Sequence, residues 1–169
     1  LLTHDTPSAI RLEQELLSLN SNKQLSICLF PDWETLPYDT FSPHQDIISQ
    51  RLATLYQLSR LDKGIVIVPI TTLLQRLAPK KYLDANSLII QKGDRKDLHQ
   101  LRQELEASGY RCVDQVMEHG EFSARGAIID LFPMGSSSPF RLDFFDDEID
   151  EIRLFDPENQ RSSDKVEGI

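Results

Sequence analysis

The sequence predicts an α/β chain in two parts: a parallel-sheet domain over residues 1–84, then a small α+β domain with an antiparallel sheet over residues 85–169. Three observations carry this expectation. In the first half, helical stripes alternate with two short, nearly all-apolar runs, "LSICLF" and "GIVIVPI", and strands buried on both faces of a parallel sheet read this way. The texture changes around Lys80 to Ala85. After Gly120 the chain reads as strand and turn with a two-residue period, the mark of strands with one dry face.

In order along the chain, Pro7 to Leu19 carries apolar side chains at Ile10, Leu12, Leu16, Leu17 and Leu19, a helical stripe. Leu25 to Phe30 is the first buried strand, followed by the irregular stretch "PDWETLPYDTFSPHQ". A helix start is expected there, with Ser42 as N-cap, Pro43 in the first helical position and Gln45 closing a capping box. That helix runs on with Ile48, Leu52, Leu55 and Leu58 or Ser59 along one side. Gly64 to Ile70 is the second buried strand, and "TTLLQRLAP" a short helix ended by Pro79. Helices and strands in strict alternation imply parallel strands with right-handed crossovers. In the second part "SLIIQKG" reads as a strand and "RKDLHQLRQELEASG" as a helix capped by Asp94 and stopped at Gly109. "YRCVDQV" reads as a further strand, and "GSSSP" as a hairpin loop.

Composition bounds the function. The chain has 169 residues, 40% hydrophobic and 27% charged, enough for one domain or two small ones. A net charge of −9 argues against the chain as a whole binding DNA or RNA, because phosphate contacts need a basic surface. It permits a basic patch and suits a positively charged partner. Cys28 and Cys112 sit in apolar runs and are expected to be buried small hydrophobes rather than ligands or a disulfide. Four scattered histidines and no Cys-x-x-Cys give no zinc pattern. The longest apolar run, "IVIV", is too short to span a bilayer, and no signal peptide is evident, so the expected compartment is the cytoplasm. Both ends break off in mid-pattern, as in a fragment of a longer protein.

Motifs for catalysis are not found. No G-x-x-x-x-G-K-[ST] and no G-x-G-x-x-G occurs, so either a phosphate-cradling glycine loop lies upstream of this chain or the domain binds no nucleotide, and no cofactor or metal is expected in the chain itself. The acidic run Asp143 to Glu151 reads as a solvated turn, and neither His44 nor His119 has a neighbouring nucleophile. Trp33, Tyr38 and Phe41 alternate with Asp32, Glu34 and Asp39 rather than with basic residues. These rings are therefore expected to tuck against their own domain and not to stack on bases.

The last sheet leaves a question. Alternation puts Phe140, Leu142 and Phe144 on a core face and Arg141, Asp143 and Phe145 on the other, where Phe145 breaks the polar rule. The next strand is expected to bury Ile152 and Leu154 and to expose Glu151 or Arg153. An exposed aromatic beside an arginine is the composition of an interface hot spot. Arg125 precedes Gly126, where a bulge is expected. Because a bulge shifts parity, the pattern leaves open which face Arg125 joins. It is equally compatible with a structural role, in which Phe145 covers the sheet edge and both arginines pair with local acids.

Four segments, "FPDWETLPYDTFSPHQDIISQRLATLYQL", "GIVIVPITTLLQRLAP", "DQVMEHGEFSARGAIIDLFPMG" and "PFRLDFFDDEIDEIRLFD", carry a resemblance over nearly the whole chain. It is similar to the amino-terminal region of the bacterial transcription-repair coupling factors (the Mfd family), itself similar to the damage-loading protein UvrB. The resemblance implies a degenerate RecA/helicase-like domain followed by a UvrB domain-2-like module that binds the excision-repair protein UvrA. Carried over residue by residue, it places the contact on Arg125, Arg141 and Phe145. It further implies that ATP, Mg, double-stranded DNA and RNA polymerase are handled by other domains of a longer protein. Two UvrB features are missing: the glycine-rich ATP loop and, between Phe30 and Ile65, room for a tyrosine-rich DNA-clamping hairpin. The implied function is recruitment rather than catalysis. The alternative is a fragment of a UvrB-type DNA-handling ATPase or helicase. A third reading has the docking face covered by another domain until needed.

Overall fold

A computed structural model describes residues 1–21, 25–36, 39–85 and 88–169. They form two compact units, Leu1–Ala85 and Asn86–Ile169.

The first unit contains β1 (Leu2–Thr3), α1 (Thr6–Leu19), β2 (Ser26–Leu29), α2 (Gln45–Leu58), β3 (Gly64–Pro69), α3 (Ile70–Leu73) and α4 (Lys80–Ala85). Its three strands are all parallel, in the order β1-β3-β2. Asp5 caps α1 by accepting the Ser8 N–H at 2.9 Å. The face of α1 that meets the sheet is Ala9, Leu12 and Leu16, packed on Leu29 and Ile67. Ile10, Leu17 and Leu19 are exposed, so the expected stripe is narrower and rotated.

The start of α2 also differs from expectation. His44 is its N-cap, accepting the Asp46 N–H on Nδ1 at 3.3 Å, and Ser42 and Pro43 lie outside the helix. With ψ at 142°, His44 is extended, so no helical turn passes through it. The most buried side chains of α2 are polar: Ser49, Arg51 and Thr54. Ile48, Leu52, Leu55 and Leu58 are half-buried. Thr54 can sit inside because its hydroxyl donates to the carbonyls of Leu29 and Gln50, at 3.0 and 2.9 Å. After β3 the expected helix shrinks to the single turn α3, and Pro79 leads into α4 instead of closing α3, its carbonyl accepting the Leu83 N–H.

The second unit contains α5 (Leu98–Ala107), β4 (Arg111–Cys112), β5 (Glu121–Arg125), β6 (Ile128–Phe132), β7 (Phe140–Phe145), β8 (Glu148–Phe155) and β9 (Ser162–Val166). The six strands lie in sequence order, β4 parallel to β5 and every other pair antiparallel. Within "SLIIQKG" the described residues, Leu88 to Gly93, form no strand: Gln91 makes one bridge to Gly168, while Ile90 exchanges backbone hydrogen bonds with Ile169. The cap of α5 is Asp97, which accepts the Gln100 N–H at 2.8 Å. Asp94 instead closes the preceding turn by accepting from Gln91.

One face of the sheet is dry. Phe122, Ile129, Leu131, Phe140, Leu142, Phe144, Ile149 and Ile152 pack with Ile90, Leu101 and Leu105 beneath α5. The opposite face is sealed only at one end, by Val116, Phe132 and Phe155. Leu154, opposite Phe140, is half-buried against the main core, and alternation turns the next residue, Phe155, to the second cluster. Cys28 is buried, but Cys112 is exposed on β4, a two-residue strand at the edge of the sheet. Among the described residues no helix is long and apolar enough to cross a membrane.

Candidate protein interface

The open part of that second face is built by two hairpins. Between β5 and β6 the turn is Gly126–Ala127, with Arg125 paired directly to Ile128. Gly126 is therefore a turn residue, at φ 61°, and not the expected bulge. With no inserted residue there, parity runs unbroken from β5 through β6 to Asp143 of β7. Arg125, Ile128, Asp143 and Glu151 form one row, and Ser123, Asp130, Arg141, Arg153 and Lys165 the next. Arg125 thus shares the face of Arg141, which alternation alone left open.

Phe145 closes β7 on the same face, two residues beyond Asp143. Its side chain is 78% exposed, whereas its neighbour Phe144 is 7% exposed in the core. A register shift after Asp143 pairs Phe144 with Ile149 and Phe145 with Glu148. The turn that follows places Asp146 at φ 57°.

Between the arginines sits Asp130, 1% exposed. Arg141 grips it as a fork, Nε to Oδ1 at 2.7 Å and Nη2 to Oδ2 at 2.9 Å. Arg125 donates to the same Oδ2 from Nη2, also at 2.9 Å. Arg141 Nη1 further donates to Ser162 Oγ at 3.1 Å, and its guanidinium lies 5.1 Å from the centre of the Phe155 ring. The Asp130 hydrogen bond holds the Arg141 proton more tightly than usual, although burial works against it. Two cations on one anion leave this cluster a net positive charge. The neighbouring charges balance: Arg153 pairs with Asp143 at 3.0 Å, and both Arg153 and Lys165 pair with Glu151. Lys165 first, then Arg153, holds the Glu151 carboxyl below its ordinary range.

Of the two readings that alternation allowed, each meets one half of the geometry. The arginines do pair with an acid, while Phe145 stays largely in water at the end of β7. Asp130 itself was missed, although its place in the apolar run "AIIDLF" was a usable signal, since a buried carboxylate demands a cation.

Elsewhere, Trp33 tucks inward as expected. Its ring and that of Phe30 lie 4.0 and 4.3 Å from the guanidinium of Arg51, which is 3% exposed and donates to the Pro31 carbonyl. Phe41 does not tuck; it is 82% exposed. Tyr38 lies outside the described residues. No group of three or more metal-ligating side chains gathers among the described residues.

Residues 88–169 match the family model of the UvrB interaction domain. Over its full length the chain is 59% identical to the transcription-repair-coupling factor of Haemophilus influenzae, 52% to that of Escherichia coli and 37% to that of Staphylococcus aureus. It spans 14% of the length of each of these curated relatives. The chain is therefore similar over its whole length to part of the transcription-repair-coupling factors, and its second unit matches the UvrB interaction domain.

Proposed function

We propose that this chain is a cytoplasmic recruitment module that docks UvrA through Phe145, Arg125 and Arg141. In the longer protein, an ATP- and Mg-dependent motor outside this chain would act on double-stranded DNA and on RNA polymerase stalled at a lesion. The domain family matched by residues 88–169 supports the choice of partner. The observation that carries the reading is the exposed ring of Phe145 on one face with two guanidiniums that share a single carboxylate. A phenylalanine left in water forgoes about 2 kcal/mol of burial, which a partner pocket recovers. The unbalanced positive charge beside it calls for an acidic group on that partner.

The test is affinity for purified UvrA, by titration calorimetry on the 169-residue chain. Phe145→Ala and Arg125→Ala each lose about 2 kcal/mol, roughly thirtyfold in Kd. The melting curve of Phe145→Ala overlays that of the native chain, and Arg125→Ala still melts cooperatively with a shift of a few degrees at most, because neither side chain is buried. Native affinity in both variants would show that UvrA, if it binds at all, binds elsewhere.

A further inference from the structure

The two arginines of this face are in unlike states. Arg141 has its guanidinium folded into the sheet, forked on Asp130 and tied to Ser162, with 17% of its side chain exposed. Arg125 makes one hydrogen bond, to Asp130, and keeps 57% of its side chain exposed. A guanidinium has five N–H donors in a rigid plane. A single anchor on Nη2 tethers one corner of that plane and restricts the side chain, while the contact to Asp130 uses only one of the five donors. Asp130, at 1% exposure, is sealed beneath the arginines and out of a partner's reach. The neighbouring acids Asp143 and Glu151 are already paired with Arg153 and Lys165. Arg125 thus shares the single charge of Asp130 with Arg141, which holds that carboxylate by two hydrogen bonds.

We propose that Asp130 is a positioning residue for docking: its carboxylate, held in place by Arg141, aims Arg125 out of the sheet, so that Arg125 delivers the guanidinium that grips a carboxylate of the partner. The proposal rests on the assignment of this face as the UvrA dock. Restricting the long, rotamer-rich Arg125 side chain before contact lowers the entropy lost on binding, which is how a buried acid can strengthen an interface it never touches.

A double-mutant cycle tests this on the 169-residue chain with purified UvrA, using native, Arg125→Ala, Asp130→Asn and the combined variant. Asp130→Asn is expected to weaken binding about tenfold, and to add less than about twofold when Arg125 is already alanine. A role confined to supporting the sheet would weaken binding by the same factor in both backgrounds, and that result would overturn the proposal. Arg125→Lys covers the case in which Asp130→Asn fails to fold, since its site is half-exposed. One ammonium cannot hold Asp130 and a partner carboxylate in the same fork, so Arg125→Lys should lose as much affinity as Arg125→Ala. Native affinity for Arg125→Lys would end the positioning argument. Phe145→Ala separates the levels: if it weakens binding while Arg125→Lys does not, the dock stands and the role of Asp130 falls. If Phe145→Ala and Arg125→Ala both bind as the native chain does, the dock falls and takes the proposal with it.

Discussion

Asp130 carries its charge where water scarcely reaches it, and two guanidiniums offset the cost of that burial. Removing one partner of a buried ion pair is worth about 3 kcal/mol or more. Arg141→Ala is therefore expected to destabilise the second unit by about 3 kcal/mol, seen as faster hydrogen exchange at the β6 and β7 amides. Arg125→Ala should cost less than about 1 kcal/mol, because the arginine is largely in water. Phe145→Ala should stay within about 0.5 kcal/mol. If Arg141→Ala leaves exchange unchanged, the fork is not what sustains the buried carboxylate. The same reasoning governs how interface variants are read. Loss of docking in an Arg141 variant mixes a damaged sheet with a lost contact, and Arg141→Glu would set two carboxylates against each other. Phe145 and Arg125 give cleaner reports.

At the level of elements, the β5–β6 turn sets the geometry of the face. Gly126 has φ at 61°, and a Cβ added there would meet nothing within 4 Å. Gly126→Ala is thus limited to the cost of a left-handed backbone, about 1–2 kcal/mol, and should appear as faster exchange across β5 and β6. Gly126→Asn should cost less, since asparagine visits that region more readily; equal costs for the two would mean that something other than φ is at stake.

Glu121 ties the 113–120 loop to β5. It is 6% exposed and accepts the Met117 and Glu118 N–H groups at 2.8 and 2.9 Å, with Arg111 at 2.6 Å. Burial pushes its carboxyl pKa up, but the backbone donors and Arg111 outweigh this and leave it lowered. A lowered folded-state pKa stabilises fully above the unfolded value of about 4.3 and loses that contribution as pH falls through the folded value. Exchange protection at Met117 and Glu118 should accordingly hold at neutral pH and fall in acid below that range. Glu121→Gln should remove the step; its survival would assign the titration to another group.

Elements also show what was legible in the sequence. Alternation placed Phe140, Leu142 and Phe144 in the core and Phe145 in water, because a two-residue period survives any tertiary context that keeps one face dry. The face of Arg125 was not legible, since a glycine after a strand serves a turn or a bulge equally well and the two give opposite parity. The caps of α2 and α5 were each displaced by a competing acceptor a few residues away, the His44 ring nitrogen in α2 and the Asp97 carboxylate in α5. Asp94 and Asp97 are both sound N-caps by type, and only the pairing of Gln91 with the chain end decides that Asp94 closes a turn. The buried polar face of α2 was illegible because Thr54 and Arg51 are satisfied by carbonyls distant in sequence.

For the whole chain, the remaining contest is between a recruiting module and a UvrB-type ATPase that handles DNA, and the strand-to-helix junctions of the first unit bear on it. Parallel sheets bind phosphates where backbone N–H groups at a helix start converge on the anion. Between β1 and α1 that place is taken by the Asp5 carboxylate, which already accepts the Ser8 N–H. After β2 comes Asp32, whose carboxylate receives Trp33, Thr71 and Gln75. At the β3–α3 junction Pro69, the last residue of β3, is the N-cap of α3 and has no N–H to offer. Each described junction thus presents a fixed negative charge or a missing donor to an incoming phosphate, and the net charge of −9 adds repulsion at longer range. Titrating the 169-residue chain with Mg-ATP should give a Kd weaker than about 1 mM, that is, less than about 4 kcal/mol of binding. A short DNA duplex at physiological salt should bind no better than the weak end of non-specific association, about 10⁻⁴ M. Micromolar binding of either ligand, unaffected by Arg125→Ala, would place a nucleotide or DNA site on a face other than the proposed dock and favour the ATPase reading.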